Sequence, residues 1–381
     1  MTNPAARHAR WAVVTCFLLH GILIGSWVPH IPLAKERLEA GPALFGLALL
    51  AFAGGAVVAM PVAGMMINRY GSARLTAVTG LLFCLTFFGP ILAPDLPLFI
   101  VAGFLMGMSI GSMDVAMNAH GIAVEKALRL PTMSMFHGGF SLGGMIGAFM
   151  GAALLRAFGE VPQALLTAGL CLVLLLGATR FLLPSSADKG LSGSHFAWPT
   201  RATVGLGLLC FLALMIEGSI LDWAAIMMRE KFLVDAGIAA LAFGFYQSGM
   251  AVARFTGDRL RLKFGAVRLV VVSALMAAGG TAVALAVPSP AIAILAFIFA
   301  GLGIGNVAPI LFAGGGRLEP DAPGRGIAAV TTLGYLGFLA GPPLIGFAAQ
   351  LTSLPVALGL TVLAALIIAA FARMVDAADS F

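Results

Sequence analysis

Charge is what this sequence has least of. Only 10% of its 381 residues are Asp, Glu, Lys or Arg, while 60% are hydrophobic. A soluble globular domain carries about 25% charged and about 45–50% apolar residues, so one soluble core of this length has nowhere to hide so much apolar surface. The imbalance excludes a disordered chain, a coiled coil and a large soluble enzyme. Cysteine is also scarce. Cys16, Cys84, Cys171 and Cys210 each stand alone in an apolar run, with no C-x-x-C. No disulfide scaffold or cysteine metal site is implied, and the four read as small buried hydrophobes. The chain lacks H-E-x-x-H, a G-x-G-x-x-G after a strand, and the P-loop Gly-Lys-Ser/Thr pattern. Zinc-protease, dinucleotide and ATP-driven chemistry therefore have no motif to rest on. The expectation is no enzyme, no catalytic residue, no cofactor and no metal.

Apolar stretches are what the chain has instead. They run at about 11–34, 45–67, 75–93, 98–123, 132–155 and 163–183, then at about 202–227, 238–257, 269–287, 291–313, 326–350 and 356–373. A membrane-spanning helix needs about 20 apolar residues, and an open sheet cannot satisfy its backbone in lipid. The reading is an all-α polytopic protein with twelve transmembrane helices in a lipid bilayer. Turn residues punctuate it, as in Pro94-Asp95-Leu96-Pro97 and Pro288-Ser289-Pro290. Arg7 and Arg10 before the first run mimic a signal peptide, but the run is too long, and it is read as a retained first helix. The polar segment 184–201 separates a bundle at 1–183 from one at 202–381.

With the N-terminus inside, seventeen of the 22 bases fall on inner loops, Lys189 and Arg254 among them, and five on outer loops. Lys and Arg accumulate in cytoplasmic loops. Both termini are thus expected in the cytoplasm of a cell membrane, a bacterial inner membrane in particular. The net charge of +6 is assigned to these loops rather than to nucleic acid.

The two halves repeat. Shifted by 194 residues, Gly55 falls on Gly249, Gly71 on Gly265, Arg74 on Arg268, Arg69 on Lys263, Gly107 and Gly111 on Gly301 and Gly305, and Gly143 and Gly147 on Gly337 and Gly341. Between the second and third stretches stand Gly55, Gly64 and then Asn68-Arg69-Tyr70-Gly71-Ser72-Ala73-Arg74. This resembles the signature loop of the major facilitator superfamily, with Asn68 where the signature has an acid and Ala73 where it has a base. The second copy, Arg254-Phe255-Thr256-Gly257-Asp258-Arg259, keeps an acid. The resemblance implies two pseudo-symmetric six-helix bundles that rock around a central site to give alternating access. Physically, Arg69, Arg74, Asp258 and Arg259 are candidates for a gate, latching the inner face through ion pairs or helix C-terminal carbonyls.

A narrower resemblance lies in the fourth stretch. Gly111-Ser112-Met113-Asp114-Val115-Ala116-Met117-Asn118 is similar to the G-x-x-[DE]-x-x-x-N of fucose-permease-like sugar–proton symporters. Glu217 followed by Trp223 is spaced as in the sugar-transporting relatives. The first stretch lacks the acid of the fucose symporter and holds only His20 and His30 as ionisable groups. The resemblance implies proton-coupled symport of a sugar-like or small polar metabolite. The eleventh stretch carries Gly341-Pro342-Pro343, while the fifth lacks the proline of the superfamily's antiporter signature, which argues against antiport.

Ionisable residues inside spans are costly and default to function. Asp114, His137 and Glu217 are the candidates for proton coupling. Asp114 shares one helical face with Gly103, Gly107, Gly111, Asn118 and Gly121, and His137 lies at similar depth. Asp222 and Trp223, nearer the outer end, read as an interface carboxylate and a belt aromatic. His20, Trp27, Asn118, Gln247, Asn306 and Tyr335 are candidates for substrate binding, as polar or aromatic groups near mid-span. Methionines around the fourth and fifth stretches suit Cu(I) but are more ordinarily core filler. The function expected is a monomeric secondary transporter whose partners are protons and a small-molecule substrate. The alternatives are drug or metabolite efflux, and a non-transporting membrane sensor.

Overall fold

The computed structural model describes residues 4–188 and 197–379. Lys189 and the rest of linker residues 189–196, and the C-terminal Phe381, lie outside the described residues. No strand occurs among those described, and every long element is helical. Among the described residues, eleven helices are long and apolar enough to cross a membrane. Leu354–Ala370 and Ala372–Asp379, bent by 53°, make a twelfth if they count as one span.

Contacts divide the chain into two compact units, Met1–Glu39 with Ala51–Ser192, and Ala40–Leu50 with Gly193–Phe381. Helices α1 (Pro4–Trp27), α2 (His30–Arg37), α3 (Pro42–Tyr70), α4 (Ser72–Thr86), α5 (Phe88–Leu92), α6 (Leu96–Leu128), α7 (Met133–Phe158) and α8 (Glu160–Thr179) precede the linker. A short 3-10 turn, Ser185–Asp188, closes this half. After the linker come α9 (Val204–Phe232), α10 (Ala236–Phe264), α11 (Ala266–Ala286), α12 (Pro290–Ile304), α13 (Val307–Leu318), α14 (Pro323–Leu351) and α15 (Leu354–Ala370), then the 3-10 segment Ala372–Asp379.

The sequence repeat is a repeat of contacts. In α3, a Cβ on Gly55 would run into the Phe104 carbonyl oxygen; in α10, one on Gly249 would run into that of Ile298. Gly107 abuts the Phe52 carbonyl as Gly301 abuts that of Tyr246, and Gly143 abuts Leu18 as Gly337 abuts Phe211. Glycines are therefore spent where two helix backbones touch. With little hydrophobic drive between helices in lipid, such close van der Waals approach is what associates them. The small-residue face of α6 is covered by α3, since a Cβ on Gly111 would sit 2.7 Å from the Ala56 Cα.

Helix starts repeat as well. Asp95 accepts from the Leu98 amide at 2.9 Å to cap α6, and Ser289 caps α12 through the Ile292 amide at 3.5 Å. An N-cap oxygen satisfies an amide the helix leaves open, at about 1 kcal/mol. Gly71 and Gly265 take φ of +88° and +79°, the region that favours glycine, and turn the chain sharply into α4 and α11. All four cysteines are free and buried, as expected of small hydrophobes.

Candidate functional site

In the first unit, α6 carries Asp114 and Asn118 one turn apart. The Asn118 amide donates to the Asp114 carboxylate at 3.1 Å and to its backbone carbonyl at 2.9 Å. Both side chains are half-buried, so the carboxylate is held in place without being sealed off. His137 on α7 lies edge-on to Phe17, ring centroids 5.3 Å apart. His20 is buried between the rings of Phe83 and Phe140, at 5.2 and 5.7 Å, and its Nδ1 has no hydrogen-bond partner among the described residues. Trp27 is only 3% exposed and stacks on Phe52 at 5.6 Å and His30 at 6.2 Å. It is a member of an aromatic cluster that joins α1, α2, α3 and α6.

A partly buried network at one end of this unit has no counterpart among the sequence motifs. His30 Nε2 meets Gln163 Oε1 at 2.6 Å and its Nδ1 meets Glu160 Oε2 at 3.2 Å. Arg37 reaches the same carboxylate oxygen at 3.4 Å. Gln163 donates to Ser26, whose hydroxyl contacts Thr167 at 3.2 Å. Partners 130 residues apart leave no local spacing to find them by.

In the second unit, Glu217 on α9 pairs with Arg254 on α10 at 3.5 Å, their side chains 14% and 10% exposed. The sequence places Arg254 among the loop bases. The structure runs α10 on to Phe264, so Arg254 is inside a span. Tyr246, on α10, is fully buried. Its hydroxyl and the Gln247 side-chain carbonyl are buried with no hydrogen-bond partner among the described residues. Asn306 sits between α12 and α13, 6% exposed, its Oδ1 filling the space that a Cβ on Gly257 would need. Tyr335 lies half-buried on α14.

The candidate gate residues Arg69, Arg74, Asp258 and Arg259 are all exposed. Arg69 lies over the Tyr70 ring at 5.2 Å. Among the described residues no ion pair reaches these four. The loop is instead fastened within each unit. Asp188, near the start of the 184–201 linker, accepts from the Ser72 amide at 2.7 Å and hydroxyl at 2.6 Å. The Ser72 hydroxyl meets His120 Nδ1 at 2.7 Å, and His120 Nε2 accepts from the Leu183 amide at 3.0 Å. The ring therefore carries its proton on Nδ1 and donates it to Ser72, the reverse of a nucleophile-activating arrangement. In the second unit, Asp379 accepts from the Ala266 amide and from Arg261. In both units an acid beyond the last long helix caps the helix that follows the positive-φ glycine.

The sequence matches the Major Facilitator Superfamily over residues 13–313. It is 34% identical over 369 residues to an uncharacterised MFS-type transporter of Yersinia pestis, covering 94% of each chain. The nucleoside transporter NupG, in its mutant form, superposes with a TM-score of 0.75 at 15% identity, over 96% of this chain and 99% of that one. The E. coli fucose:proton symporter FucP does so with a TM-score of 0.63 at 15% identity, over 96% and 98%. The chain belongs to the Major Facilitator Superfamily: it is a multi-pass membrane transporter of a small molecule, not an enzyme.

Proposed function

We propose that this member of the superfamily is a proton-coupled symporter of a small polar solute, working by alternating access. The observation that carries the reading is the Asp114 carboxylate inside α6, oriented by the Asn118 amide at 3.1 Å. A carboxylate held at membrane depth is costly unless it is used, and one that is half-buried keeps a route for a proton. The resemblance of the stretch around Asp114 to sugar–proton symporters supports the same role, as does the relation in fold to a fucose:proton symporter. Glu217 and His137 are the further titratable groups of the proposal. The test is uptake into proteoliposomes under an imposed proton gradient, across a panel of sugars, polyols and sugar acids. Solute-dependent alkalinisation outside, with uptake that vanishes when the gradient is collapsed, is the expected result. Solute movement indifferent to the gradient sinks the proton coupling.

The base distribution supports both termini in the cytoplasm, and the bacterial relative supports an inner membrane. A reporter active only in the cytoplasm, fused after Phe381, is expected to give signal. A stable but silent fusion reverses the orientation.

A further inference from the structure

We infer that Arg254 is an anion receptor, and that the solute is a small hydroxylated organic acid whose carboxylate takes the place of Glu217 on that guanidinium. The inference rests on reading the chain as a carrier of a small polar solute, and narrows that class from neutral sugars to sugar-like acids.

The first ground is an asymmetry at one helix pair between the two repeated halves. Gly143 abuts Leu18 as Gly337 abuts Phe211, which aligns α1 with α9 and sets Ile24 opposite Glu217 in the register. Gly55 and Gly249 align α3 with α10, which sets Met60, Phe52 and Ala53 against Arg254, Tyr246 and Gln247. At these register positions the first half thus carries Ile24, Met60, Phe52 and Ala53, with no charge and no side-chain hydrogen-bonding group. Apolar packing suffices for the fold. Buried ion pairs are often replaceable by apolar residues without loss of stability, so stability does not explain why the second half carries four polar groups.

The second ground is what those groups offer. Arg254 presents a planar set of donors that matches a carboxylate in shape, and Glu217 holds it at 3.5 Å, longer than an ordinary N–H···O bond. The Tyr246 hydroxyl and the Gln247 carbonyl are buried at 0% and 2% exposure with no hydrogen-bond partner among the described residues. A buried polar group left unmade is unfavourable, and both are satisfied by a ligand that brings its own hydroxyls. Gln247 and Arg254 are seven residues apart, on one face of α10 and about 10 Å apart along it. A ligand that places a carboxylate at Arg254 and a hydroxyl donor at Gln247 meets the cation at one end and the orphan acceptor at the other.

The test compares D-gluconate with sorbitol, which share a six-carbon hydroxylated chain and differ at the terminal carboxylate. Galactonate with galactitol and lactate with 1,2-propanediol extend the panel, and chloride at matched ionic strength is the control. Thermal unfolding of the purified full chain is followed with each. At least one acid is expected to raise the midpoint above its polyol partner and above chloride. Glu217→Gln removes the competing carboxylate and is expected to hold or tighten acid binding. Arg254→Gln is expected to weaken it at least about thirtyfold, the scale of losing one partner of a buried charge pair. Should Arg254→Gln fail to fold, the double variant Glu217→Gln with Arg254→Gln removes both charges, and is expected to fold and to lose the acid response alone. If every polyol stabilises as well as its acid, the anion receptor is overturned while the polar-solute reading stands. If only tetraphenylphosphonium stabilises, both fall. If Arg254→Gln or the double variant keeps the acid response, the assignment of Arg254 is wrong.

Discussion

Asp114→Asn is expected to abolish accumulation of solute against its gradient while leaving exchange across the membrane in place. With one proton per solute, each pH unit of driving force supports about tenfold accumulation, since about 1.4 kcal/mol is a factor of ten. A variant that no longer carries the proton equilibrates to a ratio near one whatever the gradient. The substitution is conservative where it matters. Asn118 donates to the Asp114 side-chain oxygen at 3.1 Å and to its backbone carbonyl at 2.9 Å, and the carbonyl oxygen of an asparagine amide accepts the same bond. The amide also has the shape of the protonated acid, so the conformational cycle with solute bound stays open. A merely structural Asp114 gives the opposite pattern: less folded protein, but intact coupling in what folds. Proton-driven uptake and counterflow are measured on one preparation of folded variant, and gradient-driven accumulation that survives refutes the role.

The parts of the fold legible in the sequence are those written in residue type alone. A glycine is a missing side chain, and the matches at a shift of 194, Gly55 on Gly249 and Gly107 on Gly301, marked the places where backbones touch. Twelve apolar stretches marked the helices because lipid permits little else. The Asp114–Asn118 pair was legible too, since four residues is one turn and both partners lie on one helix. What stayed hidden depends on distance along the chain. Asp188 reaches Ser72 across 116 residues, and Asp379 reaches Ala266 across 113. Arg254 was hidden by its neighbours. It opens a run of bases through Arg259, Arg261 and Lys263 that reads as a cytoplasmic loop, yet α10 continues past it to Phe264. Trp27, expected near substrate, stacks on Phe52 and His30; periodicity gives a residue's face but not what lies against it.

Gly107→Val and Gly301→Val are expected to cost most of the folded protein, and to do so alike. A Cβ at Gly107 would collide with the Phe52 carbonyl oxygen, and one at Gly301 with that of Tyr246. The obstacle in each case is backbone, which cannot rotate aside as a side chain can, so α3 must part from α6 and α10 from α12. Overpacking a tight core typically costs about 1–3 kcal/mol. A collision with backbone belongs at or above the top of that range, out of a total stability of about 5–15 kcal/mol for a typical native protein. Valine adds the restricted rotamers of a branched side chain in a helix. Gly54→Ala and Gly279→Ala are the controls, because a Cβ at either meets nothing within 4 Å. There alanine gains helix propensity of about 1 kcal/mol over glycine, so these variants are expected to match or exceed the parent. The readout is monodisperse yield and thermal midpoint in detergent for all four chains. Two valine variants that fold as the parent does would mean the helices are not held at backbone contact. One that folds while the other fails would break the equivalence of the two halves at the crossing that defines it.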